Sequence, residues 1–128
     1  MTPFKTENLT AELEDTMIRV DVTGPVSKEE TSAALEWFNS IGQEQGEYDL
    51  YLEIPKMHFS GLGDVRQTFL NLAHIMRGME NCNKCAVVTD SPFLRSTAQI
   101  ESAALPNMEM DSFGIVELAE AENWLEAA

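Results

Sequence analysis

Cys82-Asn83-Lys84-Cys85 is a C-x-x-C pair, the first place in this chain where residue types and spacing could do chemistry. In a thioredoxin-like site the first cysteine follows a strand and opens a helix, whose N-terminus lowers the thiol pKa. Here the pair follows a helical pattern and enters a strand pattern. That opposite polarity speaks against redox work. His58 and His74 are the two histidines, and with the cysteines they would read H-x15-H-x7-C-x2-C, which matches no common zinc site. No G-x-S-x-G nucleophile elbow and no G-x-x-x-x-G-K-[ST] phosphate loop occurs. Gly61-Leu62-Gly63 lacks the third glycine of a dinucleotide fingerprint. Glu29, Glu30, Glu120 and Glu122 read as solvated helix faces. The chain is expected to be a non-enzyme with no cofactor and no metal.

The stronger signal is apolar. Leu62, Val65, Phe69, Leu72, Met76 and Met79 follow a 3-4-3-4-3 spacing and form one helical stripe. Leu70, Ala73 and Ile75 widen it beyond the roughly 100° that a surface helix needs. Either a neighbouring helix carrying Phe93, Leu94, Ala98 and Ile100 covers the flanks, or an apolar ligand, a membrane or a partner does. Met57, His58 and Phe59 stand in the preceding loop, at the mouth of any such pocket. A methionine-rich, aromatic lining adapts to varied apolar ligands.

The elements that must position these residues are legible. Leu9, Ala11 and Leu13 alternate with polar residues, and Ile18, Val20 and Val22 do the same, which predicts a hairpin closed by Gly24-Pro25. Ser27-Lys28-Glu29-Glu30 is a capping box, and a helix follows to about Glu44 with Ala34, Leu35, Trp37, Phe38 and Ile41 inward. Gly46 stops it. Tyr48 to Ile54 alternates as a third strand, ended by Pro55. A long helix is expected over about Leu62 to Met79. Lys84 to Thr89 is a continuous apolar strand, hence central. Ser91-Pro92 starts a third helix running to about Leu105, Asn107 to Phe113 is a fifth strand, and Leu118, Ala121, Trp124 and Leu125 mark a short last helix. The order ββαβαβαβα implies an α/β domain: an N-terminal hairpin, then βα units, in a mostly parallel five-stranded sheet with about four helices mainly on one face.

The 128 residues form one domain with no internal repeat or linker. Hydrophobic residues are 44% and charged residues 23%, a globular balance that excludes general disorder. Net charge is −14, which argues against nucleic-acid binding, because phosphate would be repelled. No apolar run approaches the roughly 18 residues of a membrane span, and the N-terminus has no apolar signal-peptide core. A cytoplasmic location is expected. The charge is uneven: residues 55–100 hold five Lys and Arg against three Asp and Glu, while the rest holds three against nineteen. The surface around the second and third helices is where an anionic headgroup or an acidic partner could approach.

Several strings, in this order and spacing, resemble the SpoIIAA-like family, which shares the STAS fold of anti-sigma-factor antagonists. They are Asp21-Val22-Thr23-Gly24, Tyr51-Leu52-Glu53-Ile54, Phe59-x-Gly61, Lys84-Cys85-Ala86-Val87-Val88-Thr89-Asp90, Phe113, and Ala121-Glu122-Asn123-Trp124-Leu125. The resemblance spans the chain and implies a β-α superhelix of the STAS type. In the antagonist branch, the loop before the second helix reads Asp-Ser-Ser-Gly-Leu-Gly, and its first serine takes the phosphate. This chain has His58-Phe59-Ser60-Gly61-Leu62-Gly63: Ser60, Gly61, Leu62 and Gly63 match, while Phe59 stands at the phosphoacceptor and His58 at the aspartate. A phosphate cannot be placed on Phe59.

The branch without that serine resembles lipid-carrier domains in shape. The resemblance implies a carrier or sensor of a small non-polar ligand held between the second and third helices by Phe59, Phe69, Leu72, Ile75, Met76, Phe93 and Leu94, with transient contact at the inner membrane face. The alternative is a STAS-type protein-interaction module that engages a regulatory protein through His58, Ser60, Gly61 and Leu62. Sheet edges and a polar sheet face permit a homodimer without specifying one.

Overall fold

Backbone alternation sets up the first half of the sheet. In the computed structural model, which describes residues 3–24, 26–54, 67, 70–71, 74–75, 77–79, 81–90 and 108–127, the chain begins with β1 (Phe4–Lys5), β2 (Leu9–Glu14) and β3 (Met17–Val22). These three pair antiparallel. β2 and β3 are joined by Asp15-Thr16, with Asp15 at φ 56°, a left-handed conformation that a short polar side chain tolerates. Leu9, Ala11, Ile18, Val20 and Val22 point to one buried face, as the period of two requires.

α1 (Lys28–Gln45) starts at the expected capping box: the Glu30 amide donates to Ser27 Oγ and the Ser27 amide donates to Glu30 Oε1, each at 3.1 Å. Glu30 does more than cap. Its Oε2 accepts from the Thr6 hydroxyl and, at 3.0 Å, from the Asn8 amide, which ties the β1–β2 connection to the start of the helix. Burial works against the Glu30 carboxylate, but the bonds from Thr6, Asn8 and Ser27 outweigh it and hold the group below its ordinary range. Ala34, Phe38 and Ile41 face the sheet, and Gly46 at φ 87° ends the helix.

β4 (Tyr48–Glu53), β5 (Cys82–Val88) and β6 (Glu109–Phe113) then add in parallel, so the sheet has six strands in the order β1-β2-β3-β4-β5-β6. The expected five-stranded sheet is therefore corrected to a mixed sheet of six. The additional strand is β1, whose two residues are too few for alternation to reveal. β5 lies between β4 and β6 and is buried on both faces from Cys85 to Val88, as its apolar run predicts.

Gln67, Leu70, Asn71, His74, Ile75, Arg77 and Gly78 are helical and represent the expected second helix, referred to below as the middle helix. A 3₁₀ turn (Ile115–Glu117) leads into the C-terminal helix, α2 (Leu118–Glu126). Among the described residues the helices are α1, α2 and the middle helix, so the expected count of about four is not confirmed. The expected third helix over 91–105 lies outside the described residues.

Two cores divide the faces of the sheet. On the front, α1, Ile75 of the middle helix and Met79 just after it pack with Leu9, Ile18, Val20, Leu50, Leu52, Ile54, Cys85 and Val87. On the back, α2 places Ala121 and Leu125 on Tyr51, Ala86 and Val88, flanked by Phe113 and Trp124. The front carries most of the apolar burial.

Candidate functional site

The middle helix has a clear inside and outside. Asn71, Ile75 and Met79 are buried; Gln67, Leu70, His74 and Arg77 are exposed. At 100° per residue each set falls on its own side of the helix. Asn71 fixes this rotation. Its Nδ2 donates to the Val26 carbonyl at 2.6 Å, and its Oδ1 accepts from Gln67 Nε2 at 3.3 Å. Gly78 lets α1 approach, because a Cβ there would lie 2.7 Å from Leu35 Cδ2. Asn39 Nδ2 on α1 donates to the Gly78 carbonyl at 3.4 Å.

This arrangement separates two residues that the sequence pattern groups together. Ile75 is 3% exposed and packs in the front core, whereas Leu70 is 47% exposed. The outward stripe therefore combines an apolar side chain, an amide, an imidazole and a guanidinium. It can cover an apolar surface and meet negative charge at the same time.

Of the residues expected to bind a non-polar ligand, Ile75 is the one described. Phe59, Phe69, Leu72, Met76, Phe93 and Leu94 lie outside the described residues. So do the loop positions His58, Ser60, Gly61 and Leu62.

The back face has a different character. Arg19 on β3 sits over the Tyr51 ring at 4.5 Å, and its guanidinium pairs with Glu122 of α2 at 3.4 Å and Glu14 at 3.9 Å. One register step on, Asp21 faces Glu53 across β3 and β4. Burial, then the hydrogen bond and charge of Asp21, raise the Glu53 carboxyl above its ordinary range, with Arg19 pulling the other way. An open groove of about 550 Å3 lies beside Arg19, between the β2–β3 turn and α2. Glu14, Asp15, Asp49, Glu122 and Glu126 line it, so its potential repels anions. Among the described residues, Ile75 does not line it. Period-two alternation could have announced Arg19, Tyr51 and Glu53 as one back-face row, but only the register between strands brings them together.

Cys82 and Cys85 both face the front core, although residues three apart on a regular strand point to opposite faces. A bulge explains this: Tyr48 pairs with Cys82 and Leu50 with Cys85, so β5 has one residue more than β4 over this stretch. Both thiols are free and buried. Burial, then the charge of Asp49, pushes Cys82 up to about 12, against a hydrogen bond with the Lys84 backbone. Cys85 is raised well above its ordinary value by burial and by Cys82. These are inert thiols. No group of three or more His, Cys, Asp or Glu among the described residues is placed to hold a metal ion. No helix among them is long and apolar enough to cross a membrane.

The comparisons agree with this architecture. An uncharacterized protein of the DUF3478 family from Shewanella loihica PV-4, described as having a SpoIIAA-like fold, superposes with a TM-score of 0.58 at 12% identity, over 91% of each chain. That likeness concerns the fold. The comparison with curated proteins gives no match. The SpoIIAA-like family model matches residues 17–126, from the first residue of β3 to the last of α2. With β3 to β6, the capped first helix and the back-packed last helix all inside that span, this chain belongs to the SpoIIAA-like family and is a STAS-type domain.

Proposed function

We propose that this chain is a non-enzymatic protein-interaction module and that its docking face is the outward stripe Gln67, Leu70, His74 and Arg77. One observation carries the reading: the middle helix is locked inward by Asn71, Ile75 and Met79, yet turns Leu70 and Arg77 to solvent. In a chain of net charge −14, a helix face with an exposed leucine between polar and basic side chains suits an acidic protein surface bearing an apolar anchor.

The test is quantitative capture from a lysate of the native organism, with wild type and Leu70→Asp as paired baits. A discrete protein held by wild type and lost with Leu70→Asp supports the reading. If every captured protein is indifferent to Leu70, the stripe is not a docking face.

A second reading, a carrier of a small non-polar ligand between the second and third helices with peripheral membrane contact, draws on the same exposed Leu70. It requires the middle helix to lift, because Ile75 now packs in the core. A discrete apolar molecule extracted from the native protein would favour it. A clean mass after incubation with lipid extract would remove it.

A further inference from the structure

We propose that a second copy of this chain is an occupant of that stripe, seated through the turn and first residues that open α2. The inference rests on the stripe being a docking face and names what it takes. Three large apolar side chains stand exposed among the described residues: Leu70 at 47%, Val116 at 95% and Leu118 at 39%. They fall on two patches of opposite charge. Leu70 lies with His74 and Arg77. Val116 and Leu118 lie in a C-terminal region where no Lys or Arg occurs from residue 96 onward, against seven Asp and Glu. Glu120, two residues after Leu118, is exposed.

The Val116 turn is also pre-formed. The Ile115 amide donates to Asp90 Oδ1 at 3.0 Å, the Gly114 amide to Glu117 Oε1 at 2.7 Å, and the Glu117 amide to the Gly114 carbonyl at 2.9 Å. A turn held at three points presents Val116 with little ordering cost on binding. Apolar anchor thus meets apolar side chain, and Glu120 meets the basic end of the stripe. The net charge of each copy opposes approach from afar. At physiological ionic strength it is screened beyond about 8 Å, and the local pairing remains. The two patches differ, so each copy offers one tip and one stripe.

That asymmetry gives the experiment. Wild type is followed by sedimentation velocity from about 10 μM to about 1 mM, together with Leu70→Asp, Val116→Asp and their equimolar mixture. Both positions are solvent-exposed, and circular dichroism checks that each variant keeps the wild-type fold. Wild type is expected to form species heavier than the 14.3 kDa monomer as concentration rises. Each variant alone stays monomeric. The mixture forms a one-to-one complex and nothing larger, because one variant keeps its tip and the other its stripe. A wild type that is monomeric throughout, a Val116→Asp that associates like wild type, or a mixture without the complex overturns the proposal. If wild type is monomeric while Leu70→Asp still loses a captured partner, the docking face stands and only the second copy is lost.

Discussion

Lys84 closes the C-terminal end of a helix that has no basic residue of its own in its last turn. From β5 its Nζ donates to the Trp124 carbonyl at 3.2 Å and to the Ala127 carbonyl, and it lies 5.3 Å from the centre of the Trp124 ring. A cation belongs there, since the last carbonyls of a helix carry partial negative charge. With Arg19 holding Glu122, two basic side chains of the sheet pin an otherwise acidic helix to the back face. Lys84→Met keeps the stem and removes the charge. It should cost about 1–2 kcal/mol in urea unfolding. Amides of residues 118–126 should exchange faster than those of α1. An unchanged midpoint would mean that the apolar contacts of Ala121 and Leu125 hold α2 alone.

Gly46 ends α1 at φ 87° and ψ −141°, a region that side-chain-bearing residues scarcely enter. Nothing lies within 4 Å of a Cβ built there, so space is not the obstacle. The cost of Gly46→Ala is therefore purely conformational, about 1–3 kcal/mol. Loss of stability with an unchanged circular dichroism spectrum is the expected result. A stability change below about 0.3 kcal/mol would show that the connection into β4 relaxes freely.

Local signals made most of this fold legible. Ser27 and Glu30 announced the start of α1, Gly46 its end, and the run Cys85 to Val88 a strand buried on both faces, because each rests on residues adjacent in sequence. What stayed hidden depends on register and rotation. The capping box could not show that Glu30 also takes Thr6 and Asn8. Apolar spacing placed Leu70 and Ile75 on the same widened stripe, and only the anchoring of Asn71 to Val26 sends one outward and the other inward. The bulge that turns Cys82 and Cys85 to one face needs the pairing of β4 with β5. The larger part of the expected ligand site, from Phe59 to Leu94, lies outside the described residues.

Glu53 gives the protein a pH dependence of definite sign. Its carboxyl is raised by burial and by Asp21, so the native state holds that proton more tightly than the unfolded chain does. The resulting stabilisation is complete below the ordinary glutamate range, near about pH 4.3, and is lost as pH rises through the higher folded value. At pH 7 the charged pair Asp21–Glu53 therefore works against the fold. Glu53→Gln should raise the urea midpoint at pH 7, with the gain shrinking to nothing by about pH 4. A gain that stays constant across this range would place the effect in packing rather than in the shared proton.

The two cysteines should be silent toward thiol reagents and oxidants in the native protein. They face the same side of the sheet, and burial with the raised thiol pKa values, not distance, keeps them unreactive. The Cys82 thiol, pushed up to about 12, supplies almost no thiolate at pH 8, and Cys85 supplies less. Labelling by an aromatic disulfide should run at least about 100-fold slower than for a free thiol, and the rate should follow opening of the fold. In denaturant both thiols should react at once. Treatment with a mild oxidant should leave the intact mass without the loss of two hydrogens. Fast labelling of Cys82 alone would show that the first turn of β5 opens independently of the sheet. An intramolecular disulfide formed under native conditions would return the C-x-x-C to redox chemistry.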